Sequence, residues 1–354
     1  MMPLRTALAL SMFKIVEDAD FAVARLSRRT LQHISEHGTV YAFRQAVWKL
    51  YYARFERLKK RRASQRAPQP AIIRYLDQEF ELHPSSQGLS EELRLFERHE
   101  PLGTELYLQQ LSPGNHVLDI GSNIGYWLLM AEQAIGESGR ILGFEPAAGV
   151  YSILQGNIAR SGYKNIHVLP CAVGATNGTA QFYQSEVPNW GSLIQQDSLK
   201  QTRTIDVEVR KLEDILTEFP DFHPHVLRMD LEGAELMVLK SGREMLARYK
   251  PCLFVEFHPA VVGWPAIREA LFWLRDLGYS SGALIERTWD QPWISKWMRK
   301  RRCWSGPIET LIQRIESPKD PIFNHTFSLI LQGSRKRSQA NLSERCARAN
   351  VTYH

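Results

Sequence analysis

The stretch His116–Gly125, HVLDIGSNIG, constrains this chain more than any other. Val117-Leu118-Asp119-Ile120 is a short apolar run of the kind a protein buries as a strand. Glycines follow at 121 and 125, and Tyr126-Trp127-Leu128-Leu129-Met130-Ala131 then reads as helix. A strand, a glycine-bearing turn and a helix in that order let backbone approach a ligand closely. About 20 residues past the last glycine, Ile141-Leu142-Gly143-Phe144 ends in Glu145, the offset at which a βαβ unit sets a carboxylate against a ribose diol.

The spacing of the glycines separates one ligand class from another. A dinucleotide site asks for G-x-G-x-x-G, so that a pyrophosphate can rest on N–H groups at the helix start. Here the order is Asp119-x-Gly121-x-Asn123-x-Gly125, and an acidic side chain precedes the turn where a diphosphate would be repelled. A carboxylate there suits an ammonium or a sulfonium instead. S-adenosylmethionine carries both, together with a ribose for Glu145, so the pattern points to a methyl donor rather than to NAD.

Beyond this unit the strand–helix alternation is regular. Strands are expected at Val117–Ile120, Arg140–Phe144, Ile166–Leu169, Val226–Met229 and Cys252–Pro259, with helices at Val150–Ser161, Leu212–Leu216 and Glu235–Tyr249. Thr179–Tyr183 and Thr204–Val209 read as further strands by alternation. Phe272–Leu277, Gly278–Leu284 and Thr326–Leu331 should add a helix and two more core strands. Such alternation indicates a doubly wound α/β fold with a mostly parallel sheet, seven-stranded on this count. Ligands of these sheets sit beyond the carboxyl ends of the strands. Asp119, Glu145, Cys171-Ala172, Asp230–Glu232 and Glu256–His258 all fall there.

The outer segments divide the chain. Residues 1–66 read as a basic helical extension, with Phe43, Val47, Tyr51, Phe55 and Leu58 at helical spacing. Residues 67–111 read as a helical lead-in or lid of two helices, and 112–332 as the main domain. Within that domain 289–321 stands out as an insert, with Trp289, Trp293, Trp297 and Trp304 among basic residues. The tail 333–354 is polar and reads as disordered. A formal charge of +6 is concentrated in Arg54–Arg66, Lys296–Arg302 and Arg335–Arg348. Those runs suit a solvated face, a peripheral membrane contact, a phosphate- or carboxylate-bearing acceptor or single-stranded nucleic acid, and give no firm nucleic-acid signal. The 4 cysteines lack C-x-x-C spacing, which offers neither a metal knuckle nor a disulfide framework. No stretch reaches the ~18 apolar residues of a membrane span. The expected location is cytoplasmic, with membrane association left open.

VLDIGSNIGYW, GFEP, Asn157, PCAVG, VLRMDLEGAELMVLKSG and FVEFHP together resemble the FkbM family of S-adenosylmethionine-dependent methyltransferases, over roughly residues 112–260. The resemblance implies a class I, Rossmann-like methyltransferase fold and O-methylation of a hydroxyl on a carbohydrate, glycan or natural product. It implies a donor site of Asp119, Gly121, Asn123 and Gly125 around the methionine moiety. Glu145 would take the ribose hydroxyls, with Cys171 and Ala172 beside the adenine. Alternatives are a nucleic-acid acceptor, or a non-catalytic protein of this fold that binds a membrane or a partner.

Methyl transfer to an alcohol needs alignment of three atoms and removal of a proton. The base has to stand near the carboxyl end of the fourth core strand, where Asp230 and Glu232 lie, or at the neighbouring Glu256 and His258. His258 has the best-matched intrinsic acidity. Glu235, one turn on, is expected to support the loop. The acidic residues together also admit Mg²⁺, although no metal ligand is assigned.

Overall fold

The expected alternation folds into a twisted central sheet. The computed structural model describes residues 72–84, 88–185, 190–196, 201–287, 303–316 and 326–333. The expectations placed on residues 1–66, on the basic runs Arg54–Arg66, Lys296–Arg302 and Arg335–Arg348, and on the tail beyond Gly333 lie outside these residues.

The chain enters through a hairpin, β1 (Ile72–Tyr75) and β2 (Gln78–Glu81), which corrects the expectation of helices alone before the first core strand. Its two turn residues, Leu76 and Asp77, both have positive φ, 53° and 62°. That is the primed geometry whose twist matches a hairpin. Leu-Asp lacks the Asn-Gly signature of such turns, and tertiary contacts hold it: Phe80 is buried, and Asn157 donates to and accepts from the Glu81 backbone. The two expected helices follow, α1 (Leu89–Phe96) and α2 (Pro101–Leu108).

The core then runs β3 (His116–Ile120), α3 (Tyr126–Ile135), β4 (Arg140–Phe144), α4 (Ala148–Ser161) and β5 (Ile166–Leu169). β6 (Ala172–Gly174), β7 (Gly178–Ser185) and β8 (Gln201–Lys211) leave the main sheet and form one of their own, ordered β6-β8-β7. The chain returns through α5 (Leu212–Thr217) to β9 (Val226–Met229). The single helix expected over 235–249 is two, α6 (Glu235–Ser241) and α7 (Arg243–Tyr249), interrupted at Gly242. Next come β10 (Cys252–Phe257), α8 (Pro259–Val262), α9 (Trp264–Asp276), β11 (Tyr279–Glu286), β12 (Cys303–Pro307), α10 (Ile308–Glu316) and β13 (Phe327–Gly333).

The main sheet is ordered β12-β11-β13-β10-β9-β3-β4-β5. β10, β9, β3, β4 and β5 are mutually parallel, and β13 is antiparallel to both of its neighbours. This is a Rossmann-like, class I methyltransferase sheet with one strand beyond the expected seven. The extra strand, β12, and α10 lie inside the segment read as an insert, so 303–316 belongs to the domain core. β12 has the sequence Cys-Trp-Ser-Gly-Pro, which carries no alternation signal, and a proline is tolerated because the strand is at the edge. α10 is amphipathic, burying Ile308, Leu311 and Ile312. Cys171 and Cys252 are free thiols, whereas Cys303 is disulfide-bonded, against the expectation of no disulfide.

Both faces of the sheet are covered, one by a cluster including Tyr107, Trp127 and Phe254, the other by one including Phe144, Leu239 and Phe257. Burial on both sides explains why the central strands are near-continuous apolar runs. Among the described residues no helix is long and apolar enough to cross a membrane.

Candidate active site

The β3–α3 turn is built by backbone. The N–H groups of Gly121 and Ser122 both donate to the Phe144 carbonyl, at 3.0 and 2.9 Å, so the turn folds over the end of β4. Gly121 has φ +86°, and a Cβ there would lie 2.3 Å from the Asp230 carbonyl oxygen. Only glycine permits that approach of the turn to the end of β9. Asn123 also adopts positive φ, 50°, and its side-chain oxygen accepts from the N–H of Ile124 at 2.8 Å. Gly125 then starts α3.

Glu145, one residue past β4, is buried, and both of its oxygens accept from backbone: Oε2 from Asn123 N–H at 3.0 Å and Oε1 from Ala147 N–H at 2.9 Å. Burial outweighs those two bonds and raises its pKa to about 7. The carboxyl is therefore fixed over the loop with lone pairs left for a ligand's hydroxyls. Cys171 and Ala172 are buried just beyond β5, whose Leu169 carbonyl accepts from Glu145 N–H at 3.2 Å. Burial pushes the Cys171 thiol up to about 11, so it remains protonated at neutral pH.

Asp119, on β3, has no exposed surface. Its partner is Arg228 of β9, a residue that sequence reasoning passed over. Arg228 donates through Nη1 to the Gly121 carbonyl at 2.7 Å and, weakly, to Asp119 Oδ1 at 3.4 Å; Nη2 donates to Asp230 Oδ2 at 3.1 Å. Its guanidinium also lies 5.4 Å from the centre of the Trp127 ring, a cation–π distance. One buried cation thus ties the turn, β3 and the end of β9 together. Burial raises the pKa of Asp119 despite Arg228, and Asp119 Oδ2 has no hydrogen-bond partner.

At the end of β10 the proposed catalytic residues do come together, but not with the roles expected. His258 Nδ1 faces Glu235 Oε1 at 3.0 Å and Nε2 faces Glu232 Oε2 at 3.1 Å, with Glu256 Oε1 at 3.9 Å. Burial alone would lower its pKa, but the carboxylates raise it well above 6.5. A histidine with both nitrogens donating to acids is an imidazolium and holds no lone pair for a hydroxyl proton. Glu235 Oε1 also accepts from Leu231 and Gly233 N–H groups at 3.1 and 3.0 Å, bracing a loop in which Glu232 has φ +50°. Ser192 and Gln196 brace the same loop from the small-sheet side, donating to the carbonyls of Leu231 and Glu232 at 3.1 and 2.5 Å.

Asp230 stands at the centre. Its pKa is raised well above the usual carboxylate range by burial and by Glu256, and Oδ1 has no partner. Asp230, Glu235 and His258 offer atoms within 4.8 Å of one another, a spacing that suits a divalent ion. Both nitrogens of His258 already face carboxylates, however, so the trio is a histidinium held among acids rather than a set of metal ligands. Glu256 is paired with Arg287 Nε at 3.1 Å, and Arg287 Nη2 reaches Glu100 Oε1 at 2.8 Å. Glu100, 1% exposed, also meets His99 at 2.8 Å. Glu100 and Arg287 lie far apart in sequence and match no motif; only the fold joins them.

The end of this sheet thus presents a buried carboxyl, Glu145, on one side of a glycine turn and an acid-rich cluster on the other. Residues 119–281 match the model of the methyltransferase FkbM domain. That stretch, somewhat under half of the chain, is an FkbM methyltransferase domain. Two curated fungal relatives are similar to it. Methyltransferase 1 of Beauveria bassiana is 28% identical over 143 residues, 35% of this chain and 57% of that protein. Methyltransferase sdnD of Sordaria araneosa is 29% identical over 157 residues, 36% of this chain and 60% of that protein. The matches therefore span less than two thirds of those relatives. A solved FkbM methyltransferase from Methylobacillus flagellatus KT is 18% identical, with 64% of this chain and 50% of that one aligned at a TM-score of 0.38. The FkbM region contains Asp119, Glu145, Arg228, Asp230 and His258, but not Glu100 or Arg287.

Proposed function

We propose that the protein is an S-adenosylmethionine-dependent O-methyltransferase acting on a hydroxyl of a carbohydrate, glycan or natural product. One observation carries the reading: Glu145, fixed over the glycine turn, and the acid cluster centred on Asp230 lie side by side at the carboxyl ends of parallel strands. The residues fit the donor by their chemistry. Glu145 has acceptor capacity for two ribose hydroxyls, and Asp119 Oδ2 and Asp230 Oδ1 are unpartnered oxygens suited to positive groups.

S-adenosylmethionine, when bound, supplies a methyl group on a sulfonium and takes back the electron pair of the broken C–S bond. Glu145 and the glycine turn that it clamps position the donor, where alignment contributes ~7–11 kcal/mol. Asp230 accepts the acceptor's hydroxyl proton, a step contributing roughly 10²–10⁴-fold. Burial and Glu256 raise its pKa above that of an ordinary carboxylate, which makes it the stronger base. His258, fixed as an imidazolium, holds Glu232 and Glu235 in place and steadies the Asp230 loop. Arg287 does the same for Glu256.

Transfer of radiolabelled methyl from S-adenosylmethionine into glycan, lipid and metabolite extracts tests the reading. Wild type should label a hydroxyl-bearing product, and Asp230→Asn should label it at least ~100-fold more slowly. Label appearing only in nucleic acid would sink the choice of acceptor.

A further inference from the structure

The acid cluster carries more negative charge than its own cations meet. Asp119, Asp230, Glu232, Glu235 and Glu256 face Arg228, Arg287 and His258, five carboxyls against three cations. Arg287 is moreover shared with Glu100, whose other partner is His99. The strand register adds to the strain: Met229 pairs with Val255, so the next residues, Asp230 and Glu256, stand side by side at the spacing of neighbouring strands. Two carboxylates so close in a poorly solvated site resist ionising together. Asp230 has Arg228 on Oδ2 only, and its Oδ1 has no partner. Asp119 shares that cation at 3.4 Å, but β3 is separated from Glu256's strand by β9, so Asp230 is the carboxyl set against Glu256.

We propose that the Asp230 carboxyl holds a proton in the free protein and releases it to solvent when the sulfonium of S-adenosylmethionine enters, becoming a base only once the donor is bound. The inference rests on the O-methyltransferase reading. The charged groups facing Asp230 divide. Glu256 on β10 and Glu232 on the loop favour the protonated acid. Arg228 beside it and His258 oppose that, but Arg228 is divided with Asp119 and His258 with Glu232 and Glu235. An added positive charge shifts the balance to the carboxylate.

The cycle balances on this scheme. Donor binding releases one proton. The acceptor oxygen then forms its bond to the methyl carbon, the C–S bond breaks with its pair going to sulfur, and the hydroxyl proton passes to Asp230. Sulfur loses its charge as the carboxylate loses its own, so S-adenosylhomocysteine leaves a site already protonated for the next donor. The one proton that the overall reaction yields departs at donor binding, not at product release.

Calorimetric titration of the full chain with S-adenosylmethionine and with S-adenosylhomocysteine, in two buffers of different ionisation enthalpy with chelator present, reads this directly. At pH 6.5 the amino groups of both ligands remain protonated, since such groups titrate near ~7.7–8.0. S-adenosylmethionine should release about one proton more than S-adenosylhomocysteine and tighten more steeply with pH, by up to ~tenfold per pH unit, because any proton lost from Glu145 at the ribose is common to both ligands. In Asp230→Asn the proton release by the sulfonium should vanish while S-adenosylhomocysteine still binds. The wild-type comparison stands even if that variant fails to fold. Equal proton release by the two ligands overturns this inference alone. Binding of neither overturns the methyltransferase reading and the inference with it.

Discussion

Removing the Asn157 amide should cost far more than its helical, non-catalytic position suggests. Asn157 on α4 has no exposed surface. Its Oδ1 accepts from Glu81 N–H at 2.6 Å, and its Nδ2 donates to the Glu81 carbonyl at 3.0 Å and the Ile124 carbonyl at 2.8 Å. One amide thereby bonds the entry hairpin to the residue between Asn123 and Gly125 of the donor turn. Asn157→Ala leaves three backbone groups without partners. The two on Glu81 are partly reached by water and should cost ~1 kcal/mol each, while the buried Ile124 carbonyl should cost ~1–2 kcal/mol. The total of about 3–4 kcal/mol corresponds to a fall in melting temperature of roughly 6–16 °C for a domain of this size. Urea and thermal unfolding measure it, with Arg160→Gln as the control. That variant breaks the partly exposed Arg160–Glu81 pair, at 2.6 Å, and a longer bond from Arg160 Nη1 to Asn157 Oδ1, at 3.3 Å, while leaving the amide's three backbone bonds in place, and should cost under ~1 kcal/mol. S-adenosylhomocysteine affinity should fall in Asn157→Ala alone, because the turn loses its anchor. Equal unfolding costs for the two variants would refute the reasoning.

Two further outcomes follow from the buried charges. Arg228→Leu strands Asp119 and Asp230 without their cation and should destabilise by ~3–5 kcal/mol in urea, with Asp119→Asn added to it restoring part of the loss; a cost below ~1 kcal/mol would contradict the pairing. Burial alone would lower the His99 pKa, but Glu100 and Glu92 raise it to about 9. Its contribution is therefore fully present below the unfolded value of ~6.5 and is lost as pH rises through about 9, at most ~3 kcal/mol. Unfolding free energies measured from pH 6 to 10 should show that alkaline decline in wild type and not in His99→Gln.

How far the sequence discloses this fold depends on how each element is held. β3, β4, β9 and β10 are buried on both faces, so their residues are apolar runs that stand out without help, and the glycine turn and Glu145 stand at fixed offsets from them. The entry hairpin turns on Leu76-Asp77, which has no local reason to turn, and is held by Asn157 from the far side of the domain. β12 is a short edge strand read through a proline and a glycine, within a stretch whose tryptophans and basic residues suggest a surface. The site was legible as a set of positions, and less so as a set of roles. His258 matches a base by its ordinary acidity, but Glu232 and Glu235, one on each nitrogen, make it a cation. Arg228 did leave a trace: an arginine in the strand Val-Leu-Arg-Met has to be paired if that strand is buried. Glu100 and Arg287 left none, because their meeting depends on α2 and β11 packing at the same end of the sheet.

The central claim is a donor site organised by Glu145 over the glycine turn, and calorimetric titration of S-adenosylhomocysteine into wild type and Glu145→Ala tests it most directly. Wild type should bind in the micromolar range, and Glu145→Ala should bind at least ~tenfold more weakly, about 1.4 kcal/mol, since it loses both the ribose contact and the clamp on Asn123 and Ala147. Equal affinities, or no binding to wild type, would contradict the account.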